Sequence, residues 1–114
     1  MSKITTHVLD VSIGKPAKSV PVKVEFLENA KTWLELGRGI TDEDGRAKDL
    51  LSSDAALKKG VYRLSFDTAS YFIPREVEFF YPEVVVTFNV TDAVEHYHVP
   101  LLLSPFGFST YRGS

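Results

Sequence analysis

Hydrophobic residues recur at every second position along several stretches of this 114-residue chain, and this alternation limits its fold more than any other feature. Side chains on a β-strand point alternately to opposite faces, so a period of two indicates strands that bury one face. The pattern is clear where valine, leucine and aromatic residues alternate with charged and polar ones, at residues 20–26, 62–66 and 84–90. These stretches predict three strands with an inner and an outer face.

Weaker alternation predicts four more strands, at residues 7–13, 32–40, 95–103 and 106–112. Glycine and proline lie between the predicted strands, where turns need backbone angles that strands do not adopt. Single helical turns are predicted at 54–60 and 68–72. Short strands at regular spacing are typical of a β-sandwich. The sequence therefore predicts an all-β sandwich of seven to eight strands with one short helix.

The composition indicates one folded domain over residues 1–114. Hydrophobic residues make up 44% and charged residues 25% of the chain, a balance typical of globular domains. The formal net charge of -2 provides no positive field for a polyanion, so we expect no nucleic-acid partner. The chain has no cysteine, which excludes a thiol nucleophile, a thiolate metal site and disulfides.

Hydropathy gives no sign of a membrane partner. No apolar run approaches the roughly 20 residues that span a bilayer, and the first residues lack the apolar stretch of a secretory signal. We therefore expect a cytoplasmic protein, or a periplasmic one if a leader was removed.

The segment 95–103 is the most informative part of the sequence. On a strand, Tyr97 and the alternate residues after it fill the core, while His96 and His98 face the other way. Two imidazoles on one face beside Pro100 and Leu102 indicate a surface that meets a ligand or a second subunit. For an arbitrary His-x-His sequence, two solvent-exposed surface histidines are the simpler interpretation.

Two kinds of metal site are alternative interpretations of the histidines and of the acidic turn. The chain has three histidines, His7, His96 and His98, which could form a three-imidazole zinc site, but no carboxylate is placed to orient them. Residues 42–45 resemble part of a calcium loop, but the acidic ligand positions on either side of them are apolar. What remains is a turn that presents Arg46, whose guanidinium could bind an oxyanion unless it is simply a surface charge.

The end of the chain does not have the featureless sequence usual at a terminus. Parity places Phe106 and Phe108 in the core and Ser109 and Tyr111 on the outer face, and Arg112 follows. The alternative is a solubilising edge strand, on which arginine discourages aggregation.

Five blocks of sequence resemble one family, the transthyretin-like 5-hydroxyisourate hydrolases. They are H-V-L-D with G-K-P-A at 7–10 and 14–17, T-D-E-D-G-R at 41–46, Y-P-E-V-V-V at 81–86, H-Y-H-V-P-L-L-L-S-P at 96–105, and Y-R-G-S at 111–114. The resemblance covers nearly the whole chain. One departure is Phe108, at a position where these enzymes often carry tyrosine.

The resemblance implies a transthyretin-like β-sandwich that assembles as a homotetramer around a central channel. It also implies hydrolysis of 5-hydroxyisourate to 2-oxo-4-hydroxy-4-carboxy-5-ureidoimidazoline, a step of urate degradation. A redox-neutral hydrolysis of a cyclic amide needs no metal or other cofactor, so we expect none.

The resemblance also assigns residues to the site. The catalytic positions are His7, Arg46 and His98, and substrate contacts fall to His7, Arg46, Tyr111, Arg112, Gly113 and Ser114. The two histidines would act as acid and base, with their order left open, and Arg46 would stabilise negative charge. Tyr111 would orient the substrate, and Ser114 would close the site through its hydroxyl or terminal carboxylate. Which face of its strand carries His7 is ambiguous, because the apolar residues Leu9 and Val11 lie on the same face. The role of His96 stays open.

Two other functions compete with the enzyme. Transthyretin has this fold and carries thyroid hormone in its channel, but a hormone channel needs apolar walls, and two imidazoles beside a guanidinium do not suit it. A plain immunoglobulin-like interaction module would be a monomer without a polar channel.

Overall fold

Two β-sheets face each other in the computed structural model, which describes residues 2–52 and 56–114. Within those ranges the strands are β1 (Ile4–Asp10), β2 (Lys15–Pro16), β3 (Pro21–Glu28), β4 (Thr32–Ile40), β5 (Arg46–Ala47), β6 (Gly60–Phe66), β7 (Val84–Val90), β8 (Tyr97–Ser104) and β9 (Gly107–Thr110). One sheet has the order β2-β1-β8-β9, with β5 also paired to β1, and the other has the order β4-β3-β6-β7. The predicted all-β sandwich is confirmed.

The core lies between the sheets and follows the predicted parity. Tyr62, Leu64 and Phe66 are at most 1% exposed, and the ends of β7, Val84 and Val90, are at most 2% exposed. Burying such side chains contributes roughly 1.5–3 kcal/mol each before the loss of chain entropy is subtracted. The opposite faces of the same strands are therefore free to carry polar side chains.

The first strand begins and ends three residues earlier than the predicted range 7–13. The cause is Asp10, which is 3% exposed and accepts hydrogen bonds from the backbone nitrogen of Ser12 and from the hydroxyl of Tyr71. These bonds turn the chain after Asp10, and Gly14 completes the turn with a φ of +66°. The earlier start puts the outward residues Thr5 and His7 in the middle of the strand.

The short helix is confirmed as α1 (Thr68–Phe72), which begins at Asp67, whose carboxylate accepts a hydrogen bond from the backbone nitrogen of Ser70. A 3-10 turn with Pro74 follows it. The other predicted helical turn, at 54–60, falls partly outside the described residues, and its described part is not helical. No helix in the described ranges is long and apolar enough to cross a membrane.

The prediction that Phe106 and Phe108 belong to the core is wrong. Phe106 is 64% exposed because it lies in the turn between β8 and β9, and Phe108 is 41% exposed. Phe108 is paired with the buried Leu103, so its parity is inward. It lies on an edge strand of four residues, however, where its ring makes an edge-on contact with Tyr81 in the loop before β7.

Candidate active site

Strand pairing in the first sheet brings the predicted catalytic residues together. His7 on β1 is directly opposite Arg46 on the antiparallel strand β5 and opposite Pro100 on the parallel strand β8. Two residues earlier on the same face, Thr5 is opposite His98. Three separate segments therefore place an imidazole, a guanidinium and a second imidazole on the outer face of one sheet. The ambiguity over His7 is resolved: it faces outward and is partly exposed.

A tight turn holds Arg46 in this position. The Asp42 carboxylate accepts hydrogen bonds from the backbone nitrogens of Asp44 and Arg46, at 2.9 and 3.0 Å. The bond from Arg46 is the main reason why the pKa of Asp42 lies below its usual value. Gly45 has a φ of +77°, and a Cβ there would lie 2.3 Å from the carbonyl oxygen of Val8. Only glycine lets the turn approach β1 closely enough to pair Arg46 with His7.

Thr5 connects the two histidines of the H-Y-H motif. Its hydroxyl oxygen lies 2.8 Å from Nδ1 of His98 and 3.1 Å from Nε2 of His96. The two imidazole rings are nearly parallel, with an interplanar angle of 14° and centroids 6.4 Å apart. Although Thr5 belongs to the outer face of the sheet, it is only 4% exposed. Of the two histidines, His98 is partly buried and His96 is exposed.

The surroundings of His98 favour its neutral form. Partial burial is the largest cause of a pKa below the usual histidine value, and the positive charge of Arg46 and the neighbouring His96 and His7 add to it. A neutral imidazole near pH 7 is able to accept a proton from water or a substrate. The electrostatics therefore suit His98 to the role of a base.

A cavity of about 150 Å³ opens at this point. Its walls include the two histidines of the H-Y-H motif, Arg46, Lys48 and Ser114. His7 does not line the cavity but lies beside Arg46, its partner across β1 and β5. A small polar molecule in the cavity would meet both imidazole and guanidinium groups.

The chain end closes over His98. The backbone nitrogen of Gly113 donates a 2.8 Å hydrogen bond to the carbonyl oxygen of His98. A Cβ at Gly113 would lie 2.6 Å from Cδ2 of His98 and 3.2 Å from Cγ of Pro100. Gly113 therefore rests directly on the two side chains, and Pro100 is buried within this chain. The sequence predicts that Pro100 lies on a face that meets a ligand or a second subunit, but Gly113 of the same chain already covers it. This contact has no signature in the strand pattern.

The side chains of Tyr111 and Arg112 do not line the cavity of the histidines in this chain, although the Arg112 guanidinium donates a 3.5 Å hydrogen bond to the backbone carbonyl oxygen of His96. They line a second cavity, of about 240 Å³, between β7 and the inner face of β8. The guanidinium of Arg112 lies 4.4 Å above the ring of Tyr97, and one of its nitrogens is 3.7 Å from a carboxylate oxygen of Glu95. Of the predicted site residues, the structure thus brings together Arg46, His98, Gly113 and Ser114, with His7 adjacent.

Two residues of the site were missed from the sequence. Lys48 was overlooked because one lysine carries no pattern. Thr5 could have been found, since it shares the outward parity of His7 and lies two residues before it. The zinc interpretation of the histidines receives no support: among residues 2–52 and 56–114, no three histidine, aspartate or glutamate side chains converge as metal ligands do.

The largest cavity, of about 740 Å³, lies on the other sheet. Lys23, Arg38, Asp67 and Glu83 contribute to its walls, but no histidine does. Histidine is the side chain best suited to exchange protons near neutral pH, and this cavity has none in its wall. Size alone therefore does not make it the better candidate for acid–base chemistry.

Comparison with known proteins identifies the family of this chain. A family model described as the HIUase/Transthyretin family matches residues 4–113. The 5-hydroxyisourate hydrolase of Salmonella typhimurium is 46% identical over 111 residues, which are 97% of this chain and 80% of that protein. The structure of Klebsiella pneumoniae 5-hydroxyisourate hydrolase matches with a TM-score of 0.83 and 34% identity, over 97% of this chain and 98% of the other. Sea bream transthyretin in complex with thyroxine matches with a TM-score of 0.89 and 31% identity, over 97% and 94%.

Proposed function

This chain belongs to the HIUase/Transthyretin family, and we propose that within it the protein is a 5-hydroxyisourate hydrolase of urate degradation. The observation that carries the proposal is the meeting of His98 and Arg46 at one cavity, with His7 directly opposite Arg46 on the neighbouring strand. The hydrolases of similar sequence support the same substrate.

The reaction opens a cyclic amide with water. The oxygen of water bonds to the ring carbonyl carbon, the C–N bond breaks, one proton of water passes to a base, and the departing nitrogen receives a proton. The product is 2-oxo-4-hydroxy-4-carboxy-5-ureidoimidazoline. No electrons leave or enter, so the step needs neither a redox cofactor nor a metal, provided that side chains supply the proton transfers and stabilise the oxyanion.

His98 and His7 are the proposed acid–base pair. Neighbouring strands lie about 4.8 Å apart and residues rise about 3.3 Å along a strand, which puts the Cα atoms of His7 and His98 roughly 8 Å apart. That separation leaves room for a small planar ring between the imidazoles. The lowered pKa of His98 supports it as the group that takes the proton of water, while His7 would then serve the departing nitrogen.

Arg46 is the proposed stabiliser of negative charge. A guanidinium is a cation that presents several N–H donors in one plane, a geometry that matches an oxyanion. The place of Arg46 at the cavity, beside His7 and close enough to His98 to lower that residue's pKa, supports contact with the carbonyl oxygen where charge develops. Gly113 and Ser114 would close the site from above. The substrate contacts assigned to Tyr111 and Arg112 stay a prediction, because both side chains line the other cavity.

A carrier function suits this site less well. The likeness to sea bream transthyretin concerns the fold, which does not determine function. A channel for a largely apolar hormone gains nothing from desolvating two imidazoles, a guanidinium and an ammonium group. The polar wall therefore favours the enzyme.

We further propose that the protein is a homotetramer. Phe106, Phe108 and Tyr111, all around the edge strand β9, are between 41% and 64% exposed. Clustered apolar side chains of this kind are typical of protein interfaces. Light scattering should give the mass of four 12.8 kDa chains, and a monomer mass at micromolar concentration would contradict the proposal. The cytoplasmic location stays a prediction.

The enzymatic proposal is tested by making 5-hydroxyisourate from urate with urate oxidase and following its ultraviolet decay. The protein should accelerate the decay, equally before and after treatment with a chelator. Arg46→Ala should lower turnover about 100-fold or more, the usual effect of losing a charge stabiliser. The matched control is Arg38→Ala on the other sheet, which should leave the rate unchanged. Failure of the unmodified protein to accelerate the decay would refute the proposal.

A further inference from the structure

The hydroxyl group of Thr5 lies between both histidines of the H-Y-H motif, at 2.8 Å from Nδ1 of His98 and 3.1 Å from Nε2 of His96. The backbone favours the first of these contacts, because the parallel register of β1 and β8 places Thr5 directly opposite His98. With only 4% of its surface exposed, the side chain has little water to bond instead. Its hydrogen bonds are therefore held in place by the sheet.

The chemistry of a hydroxyl restricts how three such groups are protonated. Thr5 has one proton to donate and lone pairs with which to accept. Suppose that Nδ1 of His98 carries a proton and donates a hydrogen bond to the Thr5 hydroxyl. Nε2 of His98 then keeps its lone pair, and the Thr5 hydroxyl donates its own hydrogen bond to Nε2 of His96. In the reverse arrangement Nε2 of His98 carries the proton and is unable to act as a base. The two histidines thus have linked tautomers.

We propose that Thr5 is a positioning residue that fixes His98 in the tautomer protonated at Nδ1, which leaves Nε2 free as the base, and that it recruits His96 as the acceptor of its own proton. The proposal rests on the proposed hydrolase function. It assigns His96 a role through Thr5: His96 is exposed, lies just before β8, and has Nε2 3.1 Å from the Thr5 hydroxyl oxygen. In the proposed arrangement this nitrogen accepts the hydrogen bond. A second partner for the Thr5 hydroxyl keeps that hydroxyl turned to accept from His98.

The test compares three variants of the full chain. Thr5→Val keeps the shape but removes the hydroxyl, and it should lower kcat about 10- to 100-fold, the scale of losing a partner that orients a functional histidine. KM should change less than kcat, because Thr5, although it borders the cavity, is only 4% exposed and its hydroxyl is bonded to the histidines. Thr5→Ser restores the hydroxyl and should recover most of kcat. The control is Thr68→Val, which removes another buried threonine hydroxyl, one bonded to the Tyr81 carbonyl far from the site, and should leave kcat unchanged.

Nitrogen-15 spectra of the histidine rings give a readout that needs no activity. Above its titration, His98 of the unmodified protein should show a protonated Nδ1 and an unprotonated Nε2, and Thr5→Val should shift the ring toward a mixture of tautomers. A protonated Nε2 in the unmodified protein would refute the proposal even if the valine variant failed to fold. An unchanged kcat and unchanged ring shifts in folded Thr5→Val would also refute it, while the hydrolase function would stand. If the unmodified protein is inactive, the function fails and the spectra still decide the role of Thr5.

Discussion

Replacing Gly113 by alanine should disable the site without unfolding the protein. The added Cβ would lie 2.6 Å from Cδ2 of His98 and 3.2 Å from Cγ of Pro100, whereas carbon atoms in contact prefer about 3.5–4.0 Å. The imidazole or the chain end must therefore move by about 1 Å. The ring is held at Nδ1 by Thr5, and the chain end is held by the hydrogen bond from the Gly113 nitrogen to the His98 carbonyl oxygen. Either movement breaks one of these contacts.

A displacement of about 1 Å at a reacting group lowers rates on the order of 100-fold. We therefore expect Gly113→Ala to lose about 100-fold in kcat/KM in the ultraviolet decay assay. Few apolar contacts are lost, so the melting temperature should fall by only a few degrees, on the order of 1 kcal/mol.

The matched control is Gly107→Ala on β9. Its Cβ would meet nothing closer than Oγ of Ser104 at 3.7 Å, an ordinary contact, so kcat/KM should stay within about twofold of the unmodified value. Wild-type kinetics in folded Gly113→Ala would contradict the reasoning, because they would mean that the chain end does not rest on His98 in the working protein.

The remaining predictions concern protonation and stability. His98→Ala should lower kcat about 100-fold or more, since it removes the proposed base, and this is checked in the decay assay with circular dichroism as the folding control. The pKa of His98 is lowered in the folded chain. As the pH falls, the unfolded chain therefore binds a proton at this histidine before the folded chain does. The contribution of neutral His98 to the free energy of unfolding is complete above a pH of about 6.5 and is lost as the pH falls below it. Urea titrations of the unmodified protein and the alanine variant at several pH values should show this difference, and equal pH dependence would contradict it. Tyr71→Phe removes the 2.7 Å hydrogen bond to the buried Asp10 carboxylate and should lower the free energy of unfolding by about 1.5–3 kcal/mol. The control Tyr81→Phe, whose hydroxyl makes no hydrogen bond within the described ranges, should change it little.

Alternation predicted the sandwich because it reports the burial of each strand face, and that is a local property of the sequence. The outward placement of His98 followed from the same rule, since it lies between the core residues Tyr97 and Val99. The meeting of His7 with Arg46 did not, because strand order and register depend on the whole chain. Alternation tells which face of a strand a residue occupies, but its cross-strand partner follows only once the neighbouring strand and its register are known.

Contacts outside the strands were the least predictable. Arg112 follows the last strand, so no periodicity fixes its direction, and it covers the ring of Tyr97. Gly113 carries no side chain and gives no hydrophobic signal, yet its packing on His98 depends on that absence. Phe108 had the correct parity, but its exposure depends on how far the opposite sheet extends.

The parallel pairing of β1 with β8 has a consequence for how the protein is made. Thr5 and His98 are 93 positions apart in sequence, and Gly113 joins them from still further along the chain. During synthesis, the hairpin of β3 and β4 has both partners available early, whereas the site is complete only after residues 98–114 have left the ribosome. Contacts between distant positions form late, after the entropy of closing the chain has been overcome. Recovery of turnover in a refolding experiment should therefore trail the recovery of β-sheet circular dichroism. The return of enzymatic activity would then report when the last contacts of the fold have formed.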